Sequence, residues 1–271
     1  ATPIGNLEDI TLRALRILGR VHAVAAEDTR RTRKLLSHYE ISAPHMISLH
    51  ADAEGRRIPE ILDVLRSGRE VAVVSDAGTP ACSDPGGALV AAALRAGLRV
   101  SPVPGPSAAM AALSTCGAAT DRFFFEGFLP RTGEKRRRRI EAAAHCDHPV
   151  VVFESPKRIR RTLGDLADVC GHGRRVSLHR EQTKVYEEIL SGPLEDFVSG
   201  RIQAPEKGEY TIVVMPGQGA APQASQDKES IAGALDTLQA HGLSTRDAVS
   251  AASALLGLPR RAVYDVAKTR A

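Results

Sequence analysis

The sequence predicts an α/β protein of two domains followed by a small helical tail. Strand-like apolar segments alternate with helix-like segments, which is the pattern of α/β layers, and parallel strands are the first expectation. The 271 residues exceed the size of one typical domain. Because the composition changes near residue 118 and again after residue 216, we expect domains over residues 1–118 and 119–216 and a tail over residues 228–271.

The first half contains two successive arrangements of strand, loop and helix. Residues 71–75 form a predicted strand, and Asp84 is expected to be the N-cap of a helix over residues 85–96, where proline suits the first position. A strand over residues 99–103 precedes a helix over residues 106–117. Ligands of open α/β sheets bind at the carboxyl ends of strands, so the two loops that follow these strands are candidate binding loops.

The second half continues the alternation, and the tail differs from it. Strands are predicted over residues 123–128, 150–154, 176–180 and 210–215, and helices over residues 134–145 and 156–170. Residues 217–228 are rich in Gly, Ala, Gln, Ser and Pro, as linkers are. Beyond this linker, three short helices over residues 231–240, 245–255 and 259–268 suggest a helix-turn-helix-like tail.

Composition argues against several classes of protein. Hydrophobic residues make up 43% and charged residues 25% of the chain, so global disorder is not expected. The longest apolar run, residues 88–94, is far shorter than the roughly 20 residues of a membrane-spanning helix, and we expect no membrane association. The four cysteines form no CxxC pair or zinc-like spacing, which favours a cytoplasmic location.

Basic residues are clustered, although the formal net charge is only +4. Three patches hold fourteen Lys and Arg side chains: Arg30, Arg31, Arg33 and Lys34; Arg131 with residues 135–139; and Lys157, Arg158, Arg160 and Arg161. Such patches bind nucleic-acid phosphates, but each also has a simpler interpretation as a solvated helix face. Asp28 and Arg30, in particular, suit an N-cap and a first-turn ion pair of a helix that runs to Tyr39.

Two loops of small residues carry the strongest chemical signal: residues 75–80 (SDAGTP) and residues 102–108 (PVPGPSA). Small side chains let a ligand approach the backbone, and helix starts offer free N–H groups to a carboxylate or a ribose. Neither loop matches GxGxxG or Walker A, which argues against dinucleotide and P-loop sites. Ordinary connections between strand and helix are the alternative interpretation.

Two further clusters have structural interpretations. Phe123, Phe124, Phe125 and Phe128 alternate as in a strand, and we interpret them as core residues rather than base-stacking residues. Residues 145–148 (HCDH) mimic a metal cluster, but their spacing fits no common site. We therefore predict no metal centre.

Nine short motifs occur together and in order: TPIGNL at residues 2–7, AEDTR at 26–30, VSDAGTP at 74–80, PGP at 104–106, DRF at 121–123, EGFLP at 126–130, FESP at 153–156, RE with TK at 180–184, and KGE at 207–209. With these motifs the chain resembles the ribosomal small-subunit methyltransferase I family, which methylates the ribose 2′-oxygen of a decoding-centre cytidine. The implied fold is the two-domain tetrapyrrole-methylase fold of class III methyltransferases. Ala53, Lys157 and Gln182 depart from the family pattern, which has Asn, His and Leu there.

The resemblance implies that S-adenosylmethionine binds in a cleft between the two domains and that no metal is needed. The residues expected near this cofactor lie in the matched loops: Pro3, Ser75, Asp76, Ala77, Gly78, Pro80, Ser107, Ala108, Phe153 and Gly208. The implied chemistry is an in-line attack of the ribose oxygen on the sulfonium methyl group. Positioning and removal of the hydroxyl proton are then the main tasks of the protein.

The matched motifs also contain the candidate catalytic residues, namely Asp28, Glu154, Glu181 and Lys184, with Glu209 as a further proton acceptor. Glu181 and Lys184 rank first because they lie together at a strand end. Lys184 serves as a base only if its pKa is depressed.

The implied partner is 16S rRNA within the small ribosomal subunit, and the family resemblance also implies a homodimer. The basic residues expected to contact the RNA are Arg30, Arg33, Arg136, Arg137, Arg138 and Arg158.

Two other functions remain open at this point. A tetrapyrrole methyltransferase of the same fold normally has a Gly-rich first loop, whereas this chain has TPIGN at residues 2–6. A noncatalytic RNA-binding protein would use the basic patches and the tail, but it would leave the two small-residue loops without a role.

Overall fold

The computed structural model describes residues 1–42, 44–50, 54–118, 121–217, 223–256 and 260–268, except for the side chains of residues 223–229 and 262. The chain divides into two compact units, Ala1–Pro216 and Gly217–Ala271. The first unit contains two sheets, one built from residues 23–74 and the other from residues 124–214.

The first sheet has three parallel strands in the order β2-β1-β3. These strands are β1 (Ala23–Ala26), β2 (His45–Ser48) and β3 (Val71–Val74). All of β1 is buried, because it lies between the other two strands. The helices of this half are α1 (Leu12–Leu18), α2 (Thr29–His38), α3 (Glu54–Arg66), α4 (Gly87–Arg95) and α5 (Ala108–Thr115). The strand predicted over residues 71–75 and the helix predicted over residues 106–117 are confirmed, with ends that differ by at most two residues.

The start of α4 contradicts the prediction that Asp84 caps this helix. The helix begins at Gly87, and its N-cap is Gly86, whose φ of 120° is one that glycine readily adopts. A distant side chain supplies the cap: Glu54 Oε1 accepts hydrogen bonds from the backbone N–H groups of Gly86 at 3.1 Å and of Leu89 at 3.0 Å. Asp84 lines a cavity instead.

The strand predicted over residues 99–103 is also wrong, because these residues form no strand. A strand requires a neighbour that supplies a ladder of backbone hydrogen bonds. The described hydrogen bond of this segment joins the Ala1 amino group to the Val103 carbonyl oxygen at 3.1 Å. One such bond does not make a ladder.

The second sheet is mixed rather than parallel. Its order is β4-β5-β8-β6-β7, with β4 parallel to β5 and the other neighbours antiparallel. Its strands are β4 (Phe124–Phe128), β5 (Val150–Glu154), β6 (Arg175–Arg180), β7 (Glu188–Pro193) and β8 (Tyr210–Val214), and its helices are α6 (Glu134–Ala144), α7 (Ile159–Cys170) and α8 (Leu194–Val198). The four predicted strands and both predicted helices are confirmed. The sequence analysis missed β7, which pairs with β6 through a short connection.

Helix α5 connects the two sheets. The sequence analysis assigns it to the first domain, yet its Ala109 and Ala112 pack against Val151 of β5 and Val213 of β8. Alanine side chains allow the helix to lie close to the second sheet. The loop before α5 is therefore held in front of that sheet, where it forms part of the cavity.

The tail is a separate unit with its own small core. Its helices are α9 (Gln223–Ala240), α10 (Thr245–Leu256) and α11 (Arg260–Lys268), and its core includes Ile231, Leu235, Val249 and Val263. Three helices were predicted here, but α9 begins within the segment that we interpreted as a linker. The predicted start of the last helix at residue 259 lies outside the described residues. Within the described part of the chain, no helix combines the length and the apolarity that are needed to cross a bilayer.

Arg136 was predicted to contact RNA, but it is buried between α6 and α7, the helices that pack on the second sheet. Its side chain is only 4% exposed. The guanidinium donates to Asp165 Oδ2 from Nε at 2.8 Å, to Thr162 Oγ1 at 2.9 Å and to the Pro130 carbonyl oxygen at 3.1 Å. It joins α6 to α7, and a buried charge with this many partners is not available to a phosphate.

Replacing Arg136 by alanine should therefore lower the free energy of unfolding by about 3 kcal/mol, because Asp165 and Thr162 lose their partner in a partly buried site. Arg138→Ala is the matched control on the same helix. Arg138 is exposed and pairs with Glu134, so its loss should cost less than about 0.5 kcal/mol. Denaturant unfolding measures both values, and equal values would contradict a structural role for Arg136.

Candidate functional site

A cavity of about 670 Å³ lies between the two sheets of the first unit. Ligand pockets commonly have volumes of roughly 300 to 1,000 Å³. The first half contributes Ile4, Glu27, Arg31, residues 76–79, residues 82–84 and residues 107–110. The second half contributes Phe123, Phe125, Phe128, residues 153–156, Gln182, Lys184 and residues 209–211.

The loop after β3 is fixed by the start of the chain. Thr2 and Gly78 exchange two backbone hydrogen bonds of 2.9 Å, and Thr2 Oγ1 donates to the Ser75 carbonyl oxygen at 3.0 Å. Ser75 Oγ donates to the Gly78 carbonyl oxygen at 3.1 Å. Gly78 has a φ of 82°, which favours glycine. Asp76, Ala77 and Gly78 consequently present a rigid, small-residue surface to the cavity.

The turn before α5 forms the neighbouring wall. Ser107 is the N-cap of α5, and its Oγ accepts a hydrogen bond from the Met110 N–H group at 3.5 Å. Ser107 and Ala108 both line the cavity. Gln182, one of the three departures from the family pattern, donates from Nε2 to the Ala108 carbonyl oxygen at 3.3 Å, and its Oε1 accepts from Thr211 Oγ1 at 3.0 Å. Gln182 thus joins this turn to β8.

Acidic side chains concentrate at one edge of the cavity. Glu27, Asp76 and Asp84 line it, and Arg31 Nη1 lies 3.4 Å from Asp76 Oδ2. Burial, reinforced by the negative charges of Glu27 and Asp76, raises the pKa of Asp84 to about 6 against the hydrogen bond from Ser75. Across the described ranges, no group of three His, Cys, Asp or Glu side chains has the arrangement of a metal site.

The first-ranked catalytic candidates, Glu181 and Lys184, are in contact with each other. Lys184 Nζ donates at 2.8 Å to both Glu181 Oε1 and Glu209 Oε2. Glu181 has a φ of 51°, and a Cβ at Gly208 would lie 2.5 Å from its Cγ, so glycine is needed at position 208. A Cβ at Gly5 would lie 2.5 Å from Lys184 Cγ, which shows how closely the first loop packs here.

This ion-pair cluster determines the charge states of its members. Burial alone would lower the pKa of Lys184, but the hydrogen bonds to Glu181 and Glu209 outweigh burial and raise it. Burial alone would raise the pKa of Glu181, but the hydrogen bonds from Lys184 and from the Glu209 N–H group outweigh burial and lower it. Lys184 is therefore held protonated, and it lacks the depressed pKa that a base requires.

The other two catalytic candidates have structural partners. Asp28 caps α2 and binds Arg30, and the hydrogen bonds from the Arg30 side chain and backbone lower the pKa of Asp28 to about 2. Asp28 and Arg30 therefore form the N-cap and the ion pair that the simpler interpretation of the sequence predicts. Glu154 has a fully buried carboxylate that accepts hydrogen bonds from Arg158 at 3.0 Å and Thr162 at 2.6 Å. Asp28 is not among the residues that line the cavity, and Glu154 is a lining residue whose side chain is enclosed by these partners.

Six of the ten predicted cofactor residues line the cavity: Asp76, Ala77, Gly78, Ser107, Ala108 and Phe153. The other four are not among the lining residues. Ser75 is buried and holds the β3 loop, and Gly208 supports Glu181. Pro3 and Pro80 flank the paired backbone of Thr2 and Gly78.

None of the six predicted RNA-contacting arginines is among the residues that line the cavity, and Arg136 is buried between α6 and α7. Arg30, Arg33, Arg137 and Arg138 are exposed. Arg158 is half-buried, and its Nη2 donates to the Leu129 carbonyl oxygen at 2.7 Å. Two lining residues were not predicted as site residues although they belong to matched motifs, Glu27 in AEDTR and Thr79 in VSDAGTP. Other lining residues outside the prediction include Cys82, Ser83, Asp84, Met110 and Thr211.

The chain is similar to known proteins over most of its length. The family model described as Tetrapyrrole (Corrin/Porphyrin) Methylases matches residues 1–198. Proteins named ribosomal RNA small subunit methyltransferase I include relatives from Halalkalibacterium halodurans, 40% identical with 98% of this chain and 92% of the relative covered, and from Xylella fastidiosa, 43% identical with 97% and 96% covered.

Solved structures show the same fold at lower identity. The methyltransferase CobJ has a TM-score of 0.59 at 20% identity, with 79% of this chain and 91% of that chain covered. Uroporphyrin-III C-methyl transferase from Thermus thermophilus, complexed with S-adenyl homocysteine, has a TM-score of 0.57 at 19% identity, with 80% and 94% covered. The chain therefore belongs to the tetrapyrrole methylase family and, within it, to the family of ribosomal RNA small subunit methyltransferase I.

Proposed function

We propose that this protein is an S-adenosylmethionine-dependent methyltransferase that methylates the ribose 2′-oxygen of a cytidine in 16S rRNA of the small ribosomal subunit. The observation that carries the proposal is the cavity at the strand ends, where two small-residue loops face a set of charged side chains. The relatives' shared name supplies the RNA substrate. Because this substrate is part of the ribosome, we place the protein in the cytoplasm.

The cavity fits the cofactor in shape and charge. S-adenosylmethionine supplies a methyl group attached to a positively charged sulfur. Ala77, Gly78 and Ala108 leave the backbone open to close approach. The N–H groups at the start of α5 suit a carboxylate, and the carboxylates of Asp76 and Asp84 favour a cationic group.

The ion-pair cluster of Glu181, Lys184 and Glu209 offers carboxylates that can accept the proton of the ribose 2′-hydroxyl. Lys184 stays protonated, so a proton acceptor at this rim of the cavity has to be a carboxylate. Glu209 lines the cavity and its side chain is 73% exposed, whereas Glu181 is more enclosed. Lys184 holds both carboxylates in position, which is the kind of orientation that lowers the barrier of a displacement reaction.

The first test fills the cofactor part of the cavity. Ala77→Trp should lower the affinity for S-adenosylhomocysteine by roughly 100-fold or more, because the indole occupies the space in front of the β3 loop. Ala142→Trp, at an exposed position of α6 outside the cavity, is the matched control. Isothermal titration measures both affinities and thermal unfolding checks the fold. An unchanged affinity in folded Ala77→Trp would exclude the cofactor from this loop.

The second test concerns RNA binding, for which we propose that the exposed Arg30, Arg33, Arg137 and Arg138 and the half-buried Arg158 contact phosphates. Replacing Arg137 and Arg138 by alanine should reduce the slope of log affinity against log salt by roughly 1.5, since each phosphate contact contributes about 0.7 to 0.9. Arg57→Ala with Arg66→Ala on α3 is the matched control, because these two arginines are also exposed and ion-paired.

Removal of the tail from Gly217 should leave that slope nearly unchanged, because residues 217–271 contain six basic and five acidic side chains. Affinity for small ribosomal subunits is measured across a salt series for all variants. A slope that falls with the tail, or with the α3 arginines, and not with Arg137 and Arg138 would overturn the assignment.

The third test concerns assembly. The family resemblance leads us to propose a homodimer. Sedimentation at micromolar concentration should give a species of twice 28.9 kDa. A stable monomer would contradict the proposal.

A further inference from the structure

Four phenylalanines on and beside β4 are exposed, which contradicts their interpretation as core residues. Phe123, Phe124, Phe125 and Phe128 are between 37% and 59% exposed. Exposed aromatic residues grouped in this way are unusual on a protein surface and commonly mark a site of binding. Phe123, Phe125 and Phe128 line the cavity, whereas Phe124 is not among its lining residues.

A β-bulge brings two of these rings to the same side. Phe125 lies opposite Val151 and Phe128 opposite Phe153, with an irregularity between Phe125 and Gly127. In a regular strand, residues three positions apart point to opposite faces. One extra residue in the strand reverses this relation. Both rings consequently contact Phe153 edge to face, with centroid distances of 5.1 Å and 5.7 Å.

The bulge is held in place from two directions. Arg139 on α6 donates to the carboxylate and the carbonyl oxygen of Glu126, and at 3.2 Å to the Phe128 carbonyl oxygen. Gly127 has a φ of 59°, and a Cβ at this position would collide with the Ser83 side chain. These contacts hold the rings in position before a ligand arrives, so little ordering entropy is lost on binding.

The cavity therefore has two chemically different sides. The small-residue loops and the carboxylates of Asp76 and Asp84 form the side that the proposed function assigns to the cofactor. A separate part of the lining is formed by phenylalanine rings and Met110. It suits a flat, uncharged group that stacks on aromatic rings.

A nucleobase is such a group. The ribose 2′-hydroxyl itself is displayed in the minor groove of RNA, so a site that holds the base serves to fix the position of the ribose. Proteins that recognise unpaired RNA nucleotides stack the splayed-out bases on aromatic side chains. We propose that Phe123, Phe125 and Phe128, the phenylalanine wall, stack the base of the target nucleotide while its ribose faces the cofactor. This inference rests on the proposed function and assigns the substrate side of the same cavity.

The experiment compares Phe125→Ala and Phe128→Ala with Phe124→Ala, which removes a more exposed ring of the same strand that is not among the lining residues of the cavity. Phe128→Tyr keeps the aromatic ring. Each variant is measured for its dissociation constant with small ribosomal subunits in the presence of S-adenosylhomocysteine, for kcat/KM of methyl transfer, and for S-adenosylhomocysteine affinity.

Phe125→Ala and Phe128→Ala should each lower subunit affinity and kcat/KM by about 5- to 150-fold, which is the range for loss of one stacked base. Phe124→Ala should stay within about twofold of the unmodified protein. Phe128→Tyr should lose less than Phe128→Ala because it keeps an aromatic ring, and cofactor affinity should be unchanged in all four.

Three results would overturn the inference. Loss of cofactor affinity with unchanged subunit binding would assign the wall to the cofactor. Equal losses in Phe124→Ala would indicate a general effect on β4. Unchanged subunit affinity and kcat/KM in Phe125→Ala and Phe128→Ala of an active protein would show that the wall does not hold the base. A different result, in which the unmodified protein binds S-adenosylhomocysteine but transfers no methyl group to subunits, would contradict the proposed function itself.

Discussion

The packing of α5 against the second sheet is the contact on which the site depends. Ala109 and Ala112 lie against Val151 and Val213, and all four side chains are buried. Larger residues on this helix face would move α5 away from the sheet, because interiors are closely packed. The turn at Ser107 would move with the helix. The cavity wall that this turn forms would then no longer be held against the second sheet.

The backbone around the cavity is conformationally demanding. Gly78, Ser83, Gly127, Glu181 and Gly208 all have positive φ values, and every one of them lies in or directly behind a wall of the cavity. For Ser83 and Glu181 this conformation is costly, on the order of 1 kcal/mol or more each, and it persists only where surrounding contacts determine it. The chain thus uses strained loops to fix its binding surfaces, which is typical of sites that have to be rigid before a ligand binds.

Local signals in the sequence predicted the parts of the fold that depend on local interactions. The strand at residues 150–154 follows from a run of valines, and the loop at residues 75–80 follows from its small residues. Three of the failures involve partners that are distant in the sequence. Glu54 replaces Asp84 as the cap of α4, Asp165 draws Arg136 inward, and one bulge turns an apparent core strand into a cavity wall. Such pairings depend on the folded chain, so periodicity alone does not reveal them.

Our central proposal is that a methyl group is transferred to RNA in this cavity. Its most direct test offers methyl-labelled S-adenosylmethionine with purified small ribosomal subunits, with free 16S rRNA and with precorrins, and then locates the label by nuclease digestion and mass spectrometry. The account predicts label on the ribose of one cytidine in the subunit and none on a precorrin. Label on a precorrin, or on a base rather than a ribose, would contradict it.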